Sequence, residues 1–145
     1  MKTLFICSAN IWRSQIAEWY YNHFTRSHNW SSAALIEDRR EKYNFKPAES
    51  IVEIMKEDWI DISSQEVSLL TKEACDEVDR IIILLDIDEE QDSDFTINWE
   101  NPRQFLWKYY RNKCIIRKVQ DPFWETDYIL KNIRNEIKKL VQQMS

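Results

Sequence analysis

Glycine is absent from the 145 residues of this chain, where average usage of about 7% would place roughly ten. Each tight turn must therefore use Asn, Asp, Ser or another residue that tolerates positive φ. Cysteine is scarce as well. Cys7, Cys75 and Cys114 are an odd number at spacings that match neither a zinc site nor a small disulfide framework, which fits free thiols in a reducing cytoplasm. The longest apolar run, residues 81–85, has five members, far short of the roughly 20 that cross a bilayer. No positively charged start leads into an apolar stretch, so neither a membrane span nor a secretion signal is expected. Positive charge is the minority sign: 20 Lys and Arg against 25 Asp and Glu give a net charge of −5. That balance argues against a protein that holds nucleic acid by bulk phosphate neutralisation, so any anion site must be local.

What is present suits one soluble domain over residues 1–145, with 43% hydrophobic and 31% charged residues and enough apolar mass for a single core. Seven Trp, six Tyr and six Phe supply much of that core, and some could line a cleft. Residues 3–7 are short, apolar and rich in β-formers, as a strand buried on both faces would be. A polar stretch, residues 8–13, follows. Ile16, Tyr20, His23 and Phe24 then recur at helical spacing, with Ser14 and Glu18 placed to favour a helix start. Residues 33–36 read as a weak second strand. Residues 39–46 read as a charged loop, and Pro47 opens a helix with Ile51, Ile54 and Met55 on its apolar face.

Residues 61–64 read as a turn or cap, and Thr71 begins a short helix that leads into the strongest strand signal, residues 80–85. Six of the nine residues 86–94 are acidic, without the spacing or turn glycine of a calcium loop, so a solvated loop is expected. A helix over residues 101–112 with Phe105, Leu106 and Tyr109 inward, and a fourth strand over residues 114–118, come next. Leu130, Ile133, Ile137, Leu140, Val141 and Met144 then mark one face of a terminal helix. This repeated β-α order predicts an α/β fold, an open parallel sheet between helices. His23 and His28 read as a helix-face and a loop residue without catalytic duty.

In such a sheet a ligand sits beyond the carboxyl ends of the strands, often against a helix N-terminus. Cys7 ends the first strand, and Arg13 follows six residues later as the helix begins. A loop of this C-x5-R form, Ser8-Ala9-Asn10-Ile11-Trp12 between the two, can wrap backbone N–H groups around an anion, with the helix dipole adding partial positive charge. A guanidinium at the rim can take two oxygens of a tetrahedral oxyanion. The same field favours the thiolate, the form that attacks phosphorus.

The segment Leu4-Phe5-Ile6-Cys7-Ser8-Ala9-Asn10-Ile11-Trp12-Arg13-Ser14-Gln15-Ile16-Ala17-Glu18 resembles the opening of the low-molecular-weight protein tyrosine phosphatase superfamily, which also contains the thioredoxin-linked arsenate reductases. Pro47-Ala48 before the second helix, Trp59-Ile60-Asp61-Ile62-Ser63 where the family usually has Gly-Ile-Asp-Ile-Ser, and Leu70-Thr71 followed by Asp79-Arg80-Ile81-Ile82 extend the likeness. Asp121-Pro122 resembles the family's Asp-Pro loop, and residues 133–137 resemble the closing helix of the arsenate reductase branch.

The resemblance implies a four-stranded parallel sheet in the order 2-1-3-4 and a cytoplasmic phosphatase with no metal and no organic cofactor. It implies Cys7 as nucleophile, forming a phosphocysteine, and Arg13 with the amides of residues 8–13 as the oxyanion cradle. Ser14 would donate a hydrogen bond to the thiolate, and Asn10 would take the left-handed conformation. Asp121 would serve as general acid and then as base, while Phe123 and Trp124 would flank the ring of a phosphotyrosine-bearing protein or a small aryl phosphate.

Departures from the family pattern also count. Trp12 stands where many members carry a second cysteine, so the protective disulfide of the loop is missing. Ala9 replaces a common glycine, and if that position needs positive φ the strain is about 1 kcal/mol or more. The Ser-Ala-Gly element expected after the second strand is replaced by roughly Ile36-Glu37-Asp38-Arg39. No thiol follows the third strand, so an arsenate reductase reading would require an external thiol reductant acting with Cys7 and Arg13 on arsenate. A third reading is a silent module that binds phosphate or a related oxyanion without turnover.

Overall fold

The computed structural model describes residues 1–26, 30–34, 39–85, 102–120 and 127–145. Strand β1 (Thr3–Cys7) leads to helix α1 (Arg13–Thr25), strand β2 (Trp30–Ala34) and helices α2 (Glu49–Glu57) and α3 (Lys72–Glu77). Strand β3 (Arg80–Leu85), helix α4 (Pro102–Tyr109), strand β4 (Cys114–Lys118) and helix α5 (Asp127–Met144) complete the order. All pairings are parallel and the strands lie β2-β1-β3-β4, the order implied by the resemblance.

The two central strands are apolar on both faces because each face is covered. Phe5, Cys7, Ile82 and Leu84 share a core with Ile16 and Tyr20 of α1, Ile51 and Met55 of α2, and Leu130, Ile133, Ile137 and Val141 of α5. Leu4, Ile6, Ile81, Ile83 and Leu85 point the other way and pack with Leu70, Cys75, Val78 and Leu106. β4 forms one edge, with Ile116, Arg117 and Lys118 exposed; charge on an edge strand discourages pairing with another chain.

Several sequence-based boundaries shift. β2 starts at Trp30, three residues before the expected stretch, because its backbone pairs along the whole of β1, from Thr3↔Trp30 to Cys7↔Ala34. The serines in that segment concealed a strand whose partner overrides its propensity. α1 starts at Arg13 with no side-chain cap, so Ser14 lies in its first turn without capping it, and Glu18 is buried rather than capping. Tyr109, expected inward, is 59% exposed, and Leu106 carries that face of α4. The turn at 61–64 is closed by the Ser63 N–H donating to Asp61 Oδ1 at 2.9 Å. Thr71 caps α3 by accepting from the Ala74 N–H at 3.1 Å. The acidic stretch 86–94, His28 and most of the 36–39 segment lie outside the described residues.

Among the described residues, positive φ occurs at Asn10 (58°), Arg26 (51°), Asn44 (53°), Phe45 (61°) and Trp59 (63°). Ala9 is not one of them, so the strain foreseen there does not arise. Trp59 instead holds the left-handed position where the related family has glycine.

Candidate active site

β1 delivers Cys7 to the carboxyl edge of the sheet, and the chain turns through residues 8–12 into α1. Cys7 and Asn10 are buried, and Arg13 is only 1% exposed. The turn is held by polar contacts from three directions. The Ser68 backbone N–H donates to Asn10 Oδ1 at 2.8 Å. A backbone N–H can only donate, so this bond sets the orientation of the Asn10 amide, and Asn10 Nδ2 donates to Ser14 Oγ at 2.7 Å. Ser14 Oγ lies 2.9 Å from Cys7 Sγ. With the sulfur ionised, only the serine can supply the proton of that bond, and a hydrogen bond to a charged group is worth about 1.5–3 kcal/mol.

Gln15 Nε2 donates to the carbonyl oxygens of Asn10 (2.8 Å) and Glu66 (2.9 Å), and Gln65 Nε2 donates to Gln15 Oε1 at 2.7 Å. The Ala48 N–H donates to the Ile11 carbonyl at 3.1 Å. Segment 68–70 reaches the turn because it runs beside the end of β2, where Ala34 N–H donates to Ser68 O and Leu70 N–H to Ala34 O. The sequence assigns no role to Gln15, Gln65, Ser68 or Ala48, although Gln15 and Ala48 stand in segments that carry the resemblance; their roles come from contacts across the fold.

Arg13 Nη1 donates to the Val119 carbonyl at 3.2 Å. This brings the guanidinium to the end of β4, two residues before Asp121. Asp121, Phe123 and Trp124 lie outside the described residues. Of the sequence-derived candidates, the structure therefore unites Cys7, Asn10 and Ser14 in one hydrogen-bonded chain. Ser8, Ala9, Ile11 and Trp12 lie in the same turn, and Arg13 follows it directly.

The electrostatics suit an anion. α1 has no acidic residue in its first turn, so its N-terminal dipole is not offset locally. Burial pushes the Glu18 carboxyl from 4.5 up to about 8, with a smaller opposing effect from Ser32, so Glu18 is largely neutral at pH 7. A separate depression of about 350 Å³ beside Ala48 is lined by Tyr43, Glu49, Ser50 and Glu53; its two carboxylates disfavour anions. Cys75 is pushed up to about 12 by burial and then by nearby Cys114, and burial raises Cys114 as well. Among the described residues, no group of three His, Cys, Asp or Glu side chains is placed to hold a metal ion.

The family model described as low molecular weight phosphotyrosine protein phosphatase matches residues 2–145. The chain belongs to this family. Its solved relatives are distant in sequence and close in fold. A YwlE mutant from Bacillus subtilis is 21% identical, with 99% of this chain and 95% of that chain covered and a TM-score of 0.74. Wzb from Vibrio vulnificus, bound to benzylphosphonate, is 16% identical, with 98% and 94% covered and a TM-score of 0.75. A low molecular weight protein tyrosine phosphatase from Bacillus subtilis is 23% identical, with 99% and 94% covered and a TM-score of 0.76. No curated protein sequence matches the chain significantly. Membership makes the chain a phosphatase at the level of the family.

Proposed function

We propose that this chain is a phosphomonoester hydrolase of residues 1–145 that works through a phosphocysteine on Cys7. The observation that supports this best is the relay from the Ser68 N–H through Asn10 and Ser14 to Cys7 Sγ. It delivers a hydrogen-bond donor to the sulfur and holds that donor in place without reorganisation. The Cys7 sulfur attacks phosphorus as the bond to the leaving oxygen breaks, and Asp121 gives that oxygen a proton. Water then attacks the phosphocysteine, Asp121 takes up its proton, the P–S bond breaks and phosphate leaves. Arg13 and the amides of Ser8, Ala9, Ile11 and Trp12 hold the non-bridging oxygens throughout. Phe123 and Trp124 favour an aryl ester, such as a phosphotyrosine side chain or a small aryl phosphate. Three free thiols agree with a reducing, cytoplasmic setting, and among the described residues no helix is long and apolar enough to cross a membrane.

Hydrolysis of p-nitrophenyl phosphate tests the reading. Cys7→Ser is expected to lose about 10⁴-fold or more in kcat; equal rates would remove Cys7 from the mechanism. Asp121→Asn should slow phenolic esters with poor leaving groups far more than p-nitrophenyl phosphate, and an equal effect on both would oppose its role as acid. Running the assay with arsenate and an external thiol checks for arsenite release, the product of the reductase reading. Phosphate binding without turnover would mark a silent module.

A further inference from the structure

Trp12 fills the last place in the turn before Arg13, and its backbone caps α1 without help from a side chain. Most of the polar groups around it are paired. Asn10 Oδ1 accepts from Ser68, its Nδ2 donates to Ser14, and its carbonyl accepts from Gln15. The Ile11 carbonyl accepts from Ala48, and the Trp12 carbonyl from Ile16. The indole nitrogen breaks this pattern. Trp12 is 9% exposed, and its Nε1 is buried with no hydrogen-bond partner among the described residues. An indole N–H can only donate, and enclosing it without an acceptor is costly. Phe would keep a buried aromatic ring there, smaller by one fused ring, without that unpaired donor. Arg13 Nε, Glu18 Oε2 and Ser32 Oγ share the condition, but the Arg13 guanidinium is engaged through its Nη1 on the Val119 carbonyl, and Glu18 and Ser32 belong to the body of α1 and to β2.

We propose that the Trp12 indole N–H is held for the ligand and donates to a non-bridging oxygen of the tetrahedral oxyanion bound between Cys7 and Arg13. This rests on the anion-site reading of the turn, and it adds a side-chain donor to the backbone amides there. Trp12 thereby binds the oxyanion itself, whichever ester carries it. Its contribution extends to the phosphate product as well as the substrate.

Inorganic phosphate is the probe, titrated by calorimetry into wild type, Trp12→Phe and Trp59→Phe. Phosphate should bind Trp12→Phe about ten-fold more weakly than wild type, whereas Trp59→Phe, changed at a side chain 96% exposed, should match wild type. The phosphate-induced change in Tm adds a readout that packing alone would not move. Without phosphate, the Tm of Trp12→Phe reports the smaller buried ring together with the lost donor; the rise in Tm on adding phosphate, taken from each protein's own baseline, should shrink in the variant. In wild type, the indole proton resonance of Trp12 should move downfield with phosphate, a measurement that does not depend on any variant folding. Unchanged affinity in Trp12→Phe, or a Trp12 resonance that phosphate does not shift, overturns the assignment while leaving the anion site intact. Failure of wild type to bind phosphate overturns both.

Discussion

Glu18 shows how one buried carboxyl can shape the behaviour of α1. It is 5% exposed, and burial lifts it from 4.5 to about 8, while its Oε2 has no partner among the described residues. The folded state thus holds a proton that the unfolded chain releases near pH 4.5. Between pH 4.5 and 8 the folded chain binds more protons than the unfolded one, so the contribution of Glu18 to stability declines as pH rises through that window. The decline approaches about 1.4 kcal/mol per pH unit where the difference is a full proton. Glu18→Gln removes the titration and keeps the shape. Chemical denaturation should find the variant and wild type close near pH 4.5, with the variant gaining on wild type up to pH 8. Parallel pH profiles for the two proteins would mean that the carboxyl is not kept neutral by the fold. Tyr20, two residues further along α1, donates to Asp58 Oδ2 at 2.9 Å, and Lys138 sits 3.4 Å from the same oxygen. Burial and the bond to Asp58 raise the phenol above its ordinary value, and this contact ties α1 to α2 and α5.

Among the elements, the end of α2 carries the clearest consequence of a chain without glycine. Trp59 follows the helix at φ 63° with its side chain 96% exposed. A residue with a Cβ costs roughly 1 kcal/mol or more in that conformation, and a solvated indole returns nothing in packing. Trp59→Gly should therefore raise stability by about 1 kcal/mol in urea unfolding; a loss of stability would show that the exposed ring supports the turn in some other way. Elsewhere the helices obey simple rules. α5 presents Leu130, Ile133, Ile137 and Val141 to the core at helical spacing, all 2% exposed or less. Ile137→Ala should cost about 2–5 kcal/mol, checked by the same denaturation. A cost below 1 kcal/mol would mean that the α1–α5 seam can collapse around the cavity. The start of α1 follows no such spacing, since Arg13, Ser14, Gln15, Ile16, Ala17 and Glu18 are all buried. A polar helical turn enclosed on every side marks a site more than a packing surface.

At the scale of the whole molecule, the sheet divides the thiols. Cys7 belongs to the layer that contains α1, α2 and α5, whereas Cys75 and Cys114 pack on the opposite layer. The two distal thiols are kept protonated by burial, which makes them poor nucleophiles. Treatment with peroxide should accordingly oxidise Cys7 without joining it to either of them. Peptide mapping by mass spectrometry should find Cys7 as an oxyacid or a mixed disulfide with an added thiol. A disulfide from Cys7 to Cys75 or Cys114 would contradict this layered separation. The same layering explains which features were readable in advance. β1, β3 and β4 are contiguous apolar or β-branched runs, and the buried faces of α2 and α5 have helical spacing, so periodicity alone located them. β2 was placed too far along the chain because Trp30–Ala34 draws its stability from β1 rather than from its own residues. Tyr109 was placed inward because spacing does not say how wide the buried stripe on α4 is.

The sequence by itself determined the α/β alternation and the place of Cys7 at a strand end and of Arg13 at the following helix; the left-handed Asn10 came with the family resemblance. The first two are local, carried by neighbouring residues and the backbone angles they tolerate. Only the tertiary structure decided that Asn10 and the Ser68 N–H hold Ser14 against Cys7, the contact the resemblance implied, and that Ala9 needs no positive φ. It also decided that Gln15, Gln65, Ser68 and Ala48 hold the turn and that the Trp12 indole is enclosed without an acceptor. Those features depend on hydrogen bonds between segments up to 58 residues apart in the chain. Such partners are chosen when the sheet closes and bring the segments together, and no local pattern of side chains encodes them.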